Sequence, residues 1–276
     1  MIRADMHIHT YYSDGRQSPA EAVAAAERAG LGLMCVTDHD TMGASAEVHA
    51  LAAEAGIRAV DGIEFSAYAQ VKVHILGYGI DKNCPAFVKY YKSAVEGSYA
   101  RCEDTLKKLE CRGIRVPLDE VLKERTVQGT PVHSMFICRA AARLGYAKSA
   151  GEFYLSYIAE GKFAHSRVGR LTPEEAVKLT VDCGGISSLA HPGRIALDGA
   201  VKEELIAGLR SIGLGGIEAV YSGHTDGETA YYKEMARKYS LLVTGGSDTH
   251  YQGGSRSVGS PVFYPDEALI DALKTF

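Results

Sequence analysis

The chain has 276 residues, 46% of them apolar and 23% charged, with a formal net charge of −4. This is ordinary globular composition, sufficient for one large domain or for a domain carrying an insertion. The acidic balance argues against a protein that coats nucleic acid through bulk charge, and no apolar run approaches the length of a membrane span.

The opening stretch, Asp5-Met6-His7-Ile8-His9, reads as a strand. Residues two apart share a strand face, so His7 and His9 project side by side, with Asp14 in the loop that follows. Met1-Ile2-Arg3 runs straight into this strand, so no signal peptide is expected. The six cysteines (Cys35, Cys84, Cys102, Cys111, Cys138 and Cys183) contain no Cys-x-x-Cys pair. The expectation is a reduced cytoplasmic protein with inert thiols.

Ser18-Pro19-Ala20-Glu21 supplies an N-cap, a first-turn proline and a capping-box glutamate for a helix that ends before Gly30. A second strand, 33–37, is closed by Asp38-His39-Asp40, and a helix over 44–55 follows. A third strand, 57–63, is closed by Glu64-Phe65-Ser66, and a fourth, 71–78, carries His74. Alternating strands and helices imply a mainly parallel sheet. From about Asp81 the pattern becomes helical, over 85–112, 118–125, 132–144 and 149–159. This predicts an all-helical insertion, 82–165, between barrel segments 1–81 and 166–276.

The alternation resumes with the helix start Thr172-Pro173-Glu174-Glu175. Strands at 186–190, 216–221 and 241–245 deliver His191, His224 and the pair Asp248 and His250, with helices over 201–212, 226–239 and 266–274. Seven strands with polar residues at their carboxyl ends predict an α/β barrel whose chemistry sits on one face. An open doubly wound sheet is disfavoured, because no glycine-rich phosphate loop follows the first strand.

Collected from the strand ends, His7, His9, Asp14, His39, Glu64, His74, His191, Asp248 and His250 form a donor set for zinc, manganese or iron. The set is too large for one tetrahedral ion and suits two or three. Ions about 3.5–4 Å apart, bridged by a hydroxide that attacks phosphorus, are a familiar hydrolytic arrangement. Three divalent ions against three carboxylates leave an excess of about three positive charges, which attracts phosphate even in an acidic protein.

His7-Ile8-His9, Thr37-Asp38-His39-Asp40-Thr41, Gly62-Ile63-Glu64-Phe65-Ser66, Ala190-His191-Pro192 and Gly246-Ser247-Asp248-Thr249-His250 resemble, in order, the motifs of the PHP (polymerase and histidinol phosphatase) family. The resemblance implies a distorted seven-stranded (β/α) TIM-like barrel with a two- or three-metal site. By position, one ion takes His7, His9, Glu64 and Asp248. A second takes Asp14, His39 and His250. A third shares Glu64 and takes His74 and His191. The helical insertion is similar to that of stand-alone phosphoesterases acting on nucleoside 3′,5′-bisphosphates, some of which trim short RNA from its 5′ end. Here Gly129-Thr130-Pro131-Val132-His133 replaces their Gly-Arg-Pro-His-like motif.

Of the remaining residues, Asp5 is expected beneath the site, and one of Asp38 and Asp40 is expected to orient a ligand imidazole. Arg194 is the leading phosphate-contacting cation, since a guanidinium grips phosphate bidentately. Arg194 and His133 are the candidates for direct participation in the reaction, with His224 and Arg16 as further substrate contacts. Lys162, Arg167 and Arg256 rank below them as ordinary surface charges.

The expected activity is metal-dependent hydrolysis of a phosphomonoester, foremost the 3′-phosphate of a nucleoside 3′,5′-bisphosphate, with no membrane association and no obligate protein partner. The rivals are a histidinol-phosphate phosphatase, a 5′–3′ exoribonuclease on short RNA, and a non-catalytic PHP binding module.

Overall fold

The structure is a computed structural model, and it describes residues 1–251, 253–254 and 256–273. Seven strands lie side by side in sequence order: β1 (Ala4–Ile8), β2 (Leu33–Val36), β3 (Arg58–Tyr68), β4 (Lys72–Tyr78), β5 (Ile186–Leu189), β6 (Gly216–Tyr221) and β7 (Leu242–Gly246). The sheet curls until its two edges meet beyond the strand ends. There His9 N–H donates to Thr249 O (2.9 Å) and Asp248 N–H to His7 O (2.8 Å). The result is a nearly closed α/β barrel.

The expected parallel pattern holds for β1–β2–β3 and for β5–β6–β7. It fails at β4, which runs antiparallel to both β3 and β5. The reason lies in β3, which is longer than the sequence pattern indicates. Its first part, 58–61, pairs with β2, and its second part, 62–68, folds back on β4 as a hairpin. Ala69 N–H closes the turn on Val71 O (3.1 Å). Reversal matters for function. In a parallel strand the rim is reached at the carboxyl end, whereas in β4 it is reached at the start, where His74 stands.

The helices α1 (Pro19–Arg28), α2 (Ser45–Glu54), α7 (Pro173–Asp182), α8 (Gly199–Ser211) and α9 (Asp226–Lys238) pack outside the barrel. The two predicted capping boxes form, at Ser18/Glu21 and at Thr172/Glu175, and a third closes α9 through Thr225 and Glu228. α10 (Glu267–Leu273) sends Leu269 and Leu273 into the apolar cluster of Ala4, Met6, Leu76 and Tyr78. Lys274, at the expected end of this helix, lies outside the described residues.

Between β4 and β5 come α3 (Pro85–Glu110), α4 (Leu118–Leu122), α5 (Ser134–Arg143), α6 (Ala150–Phe153) and a π-helical turn (Tyr154–Ile158). They have an apolar core of their own, with Cys102, Leu109, Val121, Phe136, Ile137 and Phe153 at its centre. The long helix α3 serves both bodies. Phe87, Tyr90 and Tyr91 pack against the barrel's outer core, and Cys102 and Leu109 belong to the second core. Among the described residues no helix is long and apolar enough to cross a membrane.

One expectation about the cysteines fails. Cys84, just before α3, and Cys183, just after α7, are joined in a disulfide, while Cys35, Cys102, Cys111 and Cys138 are free thiols. The partners are 99 residues apart in sequence, so no local spacing could pair them.

Closure of the barrel depends on a close approach at Gly246. A β-carbon there would stand 2.4 Å from His7 Cβ and 2.5 Å from His7 N. Overfilling a packed interior costs about 1–3 kcal/mol, and more where the neighbour is backbone. Gly246→Ala is therefore expected to destabilise the protein by at least that amount, as read by denaturant unfolding, and an unchanged midpoint would show that the seam is looser than described.

Candidate metal centre

The rim formed by the strand ends is where the polar residues meet. Glu64, on β3 and 1% exposed, is their common neighbour. Its Oε2 lies 3.3 Å from His7 Nε2, 3.1 Å from His9 Nε2 and 3.2 Å from His39 Nδ1. Its Oε1 lies 2.6 Å from His74 Nδ1 and 2.9 Å from His191 Nε2. One carboxylate thus gathers imidazoles from β1 and the loop after it, the loop after β2, β4 and the loop after β5.

Two further carboxylates extend the cluster. Asp248 Oδ1 stands 3.6 Å from His7 Nε2, 3.3 Å from His9 Nε2 and 3.5 Å from His250 Nδ1. Asp14 Oδ1 is 3.3 Å from His250 Nε2 and 3.9 Å from His39 Nε2. All nine sequence-predicted ligand residues are therefore brought together. Three groupings have donor atoms close enough to share an ion: His7, His9, Glu64 and Asp248; His9, Asp14, His39 and His250; and His39, Glu64 and His74. The first matches the expected set. The other two differ from it, because His9 and His39 each face two groups and His191 approaches only through Glu64 Oε1.

The donor chemistry fits divalent cations. His7 Nε2 and His9 Nε2 face each other at 3.1 Å, in a place where two lone pairs repel unless something positive lies between them. The outer nitrogens are already committed. His7 Nδ1 meets Glu218 Oε1 at 2.9 Å, and His250 Nδ1 meets Asp248 O at 3.0 Å. Such outer partners fix the tautomer and aim the other nitrogen's lone pair inward. The backbone is strained at the same positions, with φ of +27° at His191, +51° at Asp248 and +55° at Asp40. Positive φ in residues other than glycine is costly and clusters at functional sites.

Electrostatics follow from burial. Burial opposes charge on Glu64, but His74, His39 and His7 outweigh it and hold the carboxyl well below its usual range. Asp248 is held down in the same way by His7 and His9, and Asp14 by His133, His250 and His39. Burial also opposes the imidazolium of His9, yet its hydrogen bonds to Asp248 and Glu64 push it up to about 10. His7 is likewise raised, with Glu218 and Glu64 overcoming burial. For His39 and His74 burial outweighs Glu64 and pulls the imidazole down. The surrounding carboxylates thus favour protonation of the His7–His9 pair, whose facing Nε2 atoms have room for one shared proton.

The remaining expectations fare unevenly. His133 arrives from the helical segment as the N-cap of α5, its Nδ1 3.2 Å from Asp14 Oδ2 and its ring stacked on His39 at 4.8 Å. Arg194 reaches the rim, with Nη1 2.9 Å from Tyr221 Oη and 3.4 Å from Asp248 Oδ2. Asp5 lies beneath the site, accepting from the backbone N–H groups of His7, Ser247 and Gly259. Arg16 is exposed beside the mouth, its own N–H bonded to His250 O.

Two expectations are corrected. His224 does not face the cluster: its Nε2 accepts from Gly193 N–H (3.1 Å) and its Nδ1 donates to Ala219 O (3.1 Å), so the ring braces the loop after His191. Neither Asp38 nor Asp40 orients His39. Asp38 accepts from Thr10 and Ser13, while Asp40 accepts from Ser66 N–H and Tyr90 Oη. The outer partner of a ligand imidazole is Glu218, which sequence reading passed over. It also accepts from His191 N–H at 2.7 Å. Its available signal was a lone carboxylate inside the otherwise apolar strand Ile217-Glu218-Ala219-Val220. Arg139 of α5, which donates to Asp14 O, carried no sequence signal.

Because the neighbouring carboxylates favour a proton on the His7–His9 pair that a metal must displace, metal affinity is expected to rise with pH, by roughly tenfold per unit for each proton displaced. Competition titrations with manganese between pH 6 and pH 8 check this, and an affinity that is flat across that range would contradict it.

Comparison with known proteins places this arrangement. Residues 5–148 match the family model described as PHP domain. The chain is 31% identical over 254 residues to a phosphoribosyl 1,2-cyclic phosphate 1,2-diphosphodiesterase from Eggerthella lenta, covering 91% of this chain and 95% of that one. It is 31% identical over 263 residues to a 3′,5′-nucleoside bisphosphate phosphatase from Chromobacterium violaceum, covering 94% and 91%. Among solved structures, an amidohydrolase from Chromobacterium violaceum, with sulfate bound and no metal, superimposes with a TM-score of 0.88 at 29% identity, covering 99% of this chain and 96% of that one. With the family's motifs on the rim of a seven-stranded barrel, and with similarity along nearly its whole length, the chain belongs to the PHP family of metal-dependent phosphoesterases.

Proposed function

We propose that the protein releases the 3′-phosphate from nucleoside 3′,5′-bisphosphates, using two or three divalent ions (manganese, zinc or iron) held by His7, His9, Asp14, His39, Glu64, His74, His191, Asp248 and His250. The observation that carries this reading is the convergence of five imidazoles on Glu64, with Asp14 and Asp248 on either side, at a mouth bordered by cations. The relatives support the substrate class. Both are named for substrates with more than one phosphate, one a nucleoside bisphosphate and the other a phosphoribosyl cyclic phosphate.

Divalent ions, when bound, acidify water towards neutral pH and offset the charge on phosphoryl oxygens. The chain's own residues do the rest. Glu64, Asp14 and Asp248 supply the anionic oxygens, all of them kept ionised by neighbouring imidazoles. Glu218 and the backbone oxygen of Asp248 hold His7 and His250 in the orientation a cation needs. Arg194, more than half exposed, stands at the mouth where a phosphoryl oxygen enters.

His133 takes a different role from the one its residue type invites. Burial pulls its imidazole down to about 3, against the opposing pull of Asp14. Its place against Asp14 and His39 makes it a positioning residue, brought in by residues 82–165, which serve as the substrate-facing cover of the site. Lys72 and Arg170, whose charges also bear on His133, add to the positive field on that side.

Purified protein with added manganese, assayed on a nucleoside 3′,5′-bisphosphate, a ribose cyclic phosphate, histidinol phosphate and a 5′-phosphorylated oligoribonucleotide, tests the reading. Phosphate release is expected to be fastest from the bisphosphate, to stop with a strong chelator, and to fall roughly a thousandfold in His9→Ala, as loss of several kcal/mol of transition-state stabilisation implies. Faster turnover of another member of the panel moves the substrate assignment to that member. Release that persists with chelator and in His9→Ala contradicts the mechanism.

A further inference from the structure

Asp248 has two different environments. Its Oδ1 faces the cluster, near His7, His9 and His250. Its Oδ2 faces the mouth and receives three donors: Tyr221 Oη at 2.9 Å, Arg194 Nη1 at 3.4 Å and Arg256 Nη1. Two guanidinium groups therefore share one carboxylate oxygen. The two arginines together outweigh the single carboxylate by one positive charge, which faces the opening.

Arg256 is built into this place. It lies in the loop after β7, where Thr249 Oγ1 donates to its carbonyl at 2.9 Å and its own Nη1 returns to Asp248 O at 3.3 Å. Its guanidinium lies over the Tyr221 ring, 5.2 Å from the centroid, within the range of a cation–π contact. The Arg256 side chain is 27% exposed and that of Arg194 54%, so both groups line the mouth and are not enclosed by protein. Among the described residues the hydrogen bonds of both guanidinium groups run through Nη1.

We infer that Arg256 is a second phosphate-contacting residue, which with Arg194 grips the non-bridging oxygens of the phosphoryl group bound at the centre. The two guanidinium groups come from different loops, after β5 and β7, and meet on Asp248 Oδ2, one carboxylate's width from the donor atoms of the cluster. A tetrahedral dianion at the mouth offers them more acceptor oxygens than that single carboxylate oxygen does, and planar forks match phosphate edges. Tyr221 holds Asp248, and its ring underlies Arg256. The inference rests on the reading that a phosphoryl group binds at this cluster, and it does not depend on which substrate carries that group.

The test uses inorganic phosphate as the probe and the full chain saturated with manganese. Isothermal titration of phosphate into the wild type, Arg256→Ala and Arg256→Lys measures the contact directly, and metal content measured alongside separates it from an effect on Asp248. Loss of a charge-assisted contact predicts phosphate affinity weaker by roughly tenfold to a hundredfold in Arg256→Ala at saturating manganese, with part of it restored by Arg256→Lys. With the bisphosphate as substrate, kcat/KM falls in parallel. Should Arg256→Ala fail to fold, Arg256→Lys decides alone, since a point charge without the planar fork still weakens phosphate binding measurably. Phosphate affinity within about twofold of wild type in the variants, or a wild type that binds no phosphate, overturns the inference. So does a loss in Arg256→Ala that excess manganese fully restores, because the residue would then act only through Asp248. If phosphate binding depends on Arg256 but the bisphosphate is not hydrolysed, the substrate assignment fails and the arginine contact stands.

Discussion

A single buried carboxylate governs this structure. Glu64 has five imidazole nitrogens within 2.6–3.3 Å, drawn from four regions of the barrel, and almost no contact with solvent. An ionised carboxylate in that position is expensive unless positive charge surrounds it. A proton on the His7–His9 pair supplies part of that charge, and divalent ions are the natural replacement. The remaining features of the rim make sense as arrangements that bring donors to this oxygen pair: the antiparallel turn into β4 that lifts His74, the strained backbone at His191, and the seam that brings Asp248 beside β1.

Around this centre, hydrogen bonds from the barrel wall remove the remaining freedom. Glu218 ties His7 on β1 to the loop of His191, so two separate elements share one anchor. Asp5 gathers the N–H groups of Ser247 and Gly259 under the site. Asp38 holds the Thr10–Ser13 turn that precedes Asp14. These carboxylates lie one layer behind the metal-facing atoms, and their satisfied bonds make the geometry rigid before any ligand arrives. The two sides of the mouth differ. The helical segment contributes His133 and Arg139 next to Asp14, while Arg194 and Arg256 stand opposite, on Asp248.

Much of this was legible in the sequence because the chemistry is local. His-x-His on a strand, His39 between two aspartates, and Ser-Asp-Thr-His after β7 each declare themselves within a few residues. Capping boxes and glycine stops located α1 and α7 for the same reason. What escaped was non-local. The direction of β4 depends on where β3 turns, and alternation of strands and helices says nothing about that. Glu218 and Asp38 were obscured because a carboxylate's partner is chosen by the fold, and a residue flanking a ligand in sequence need not touch it in space. The disulfide between Cys84 and Cys183 spans 99 residues and left no spacing to read. His224 shared the position of a strand-end ligand, but its two nitrogens were claimed by backbone.

The central claim is that the imidazoles around Glu64 form a polynuclear metal centre. Anomalous diffraction from crystals of the manganese-loaded protein tests it most directly. The account predicts a peak among His7, His9, Glu64 and Asp248, with at least one further peak about 3.5–4 Å away on the side of Asp14 or His74. A single ion, or ions bound elsewhere while these side chains keep their present places, would contradict it.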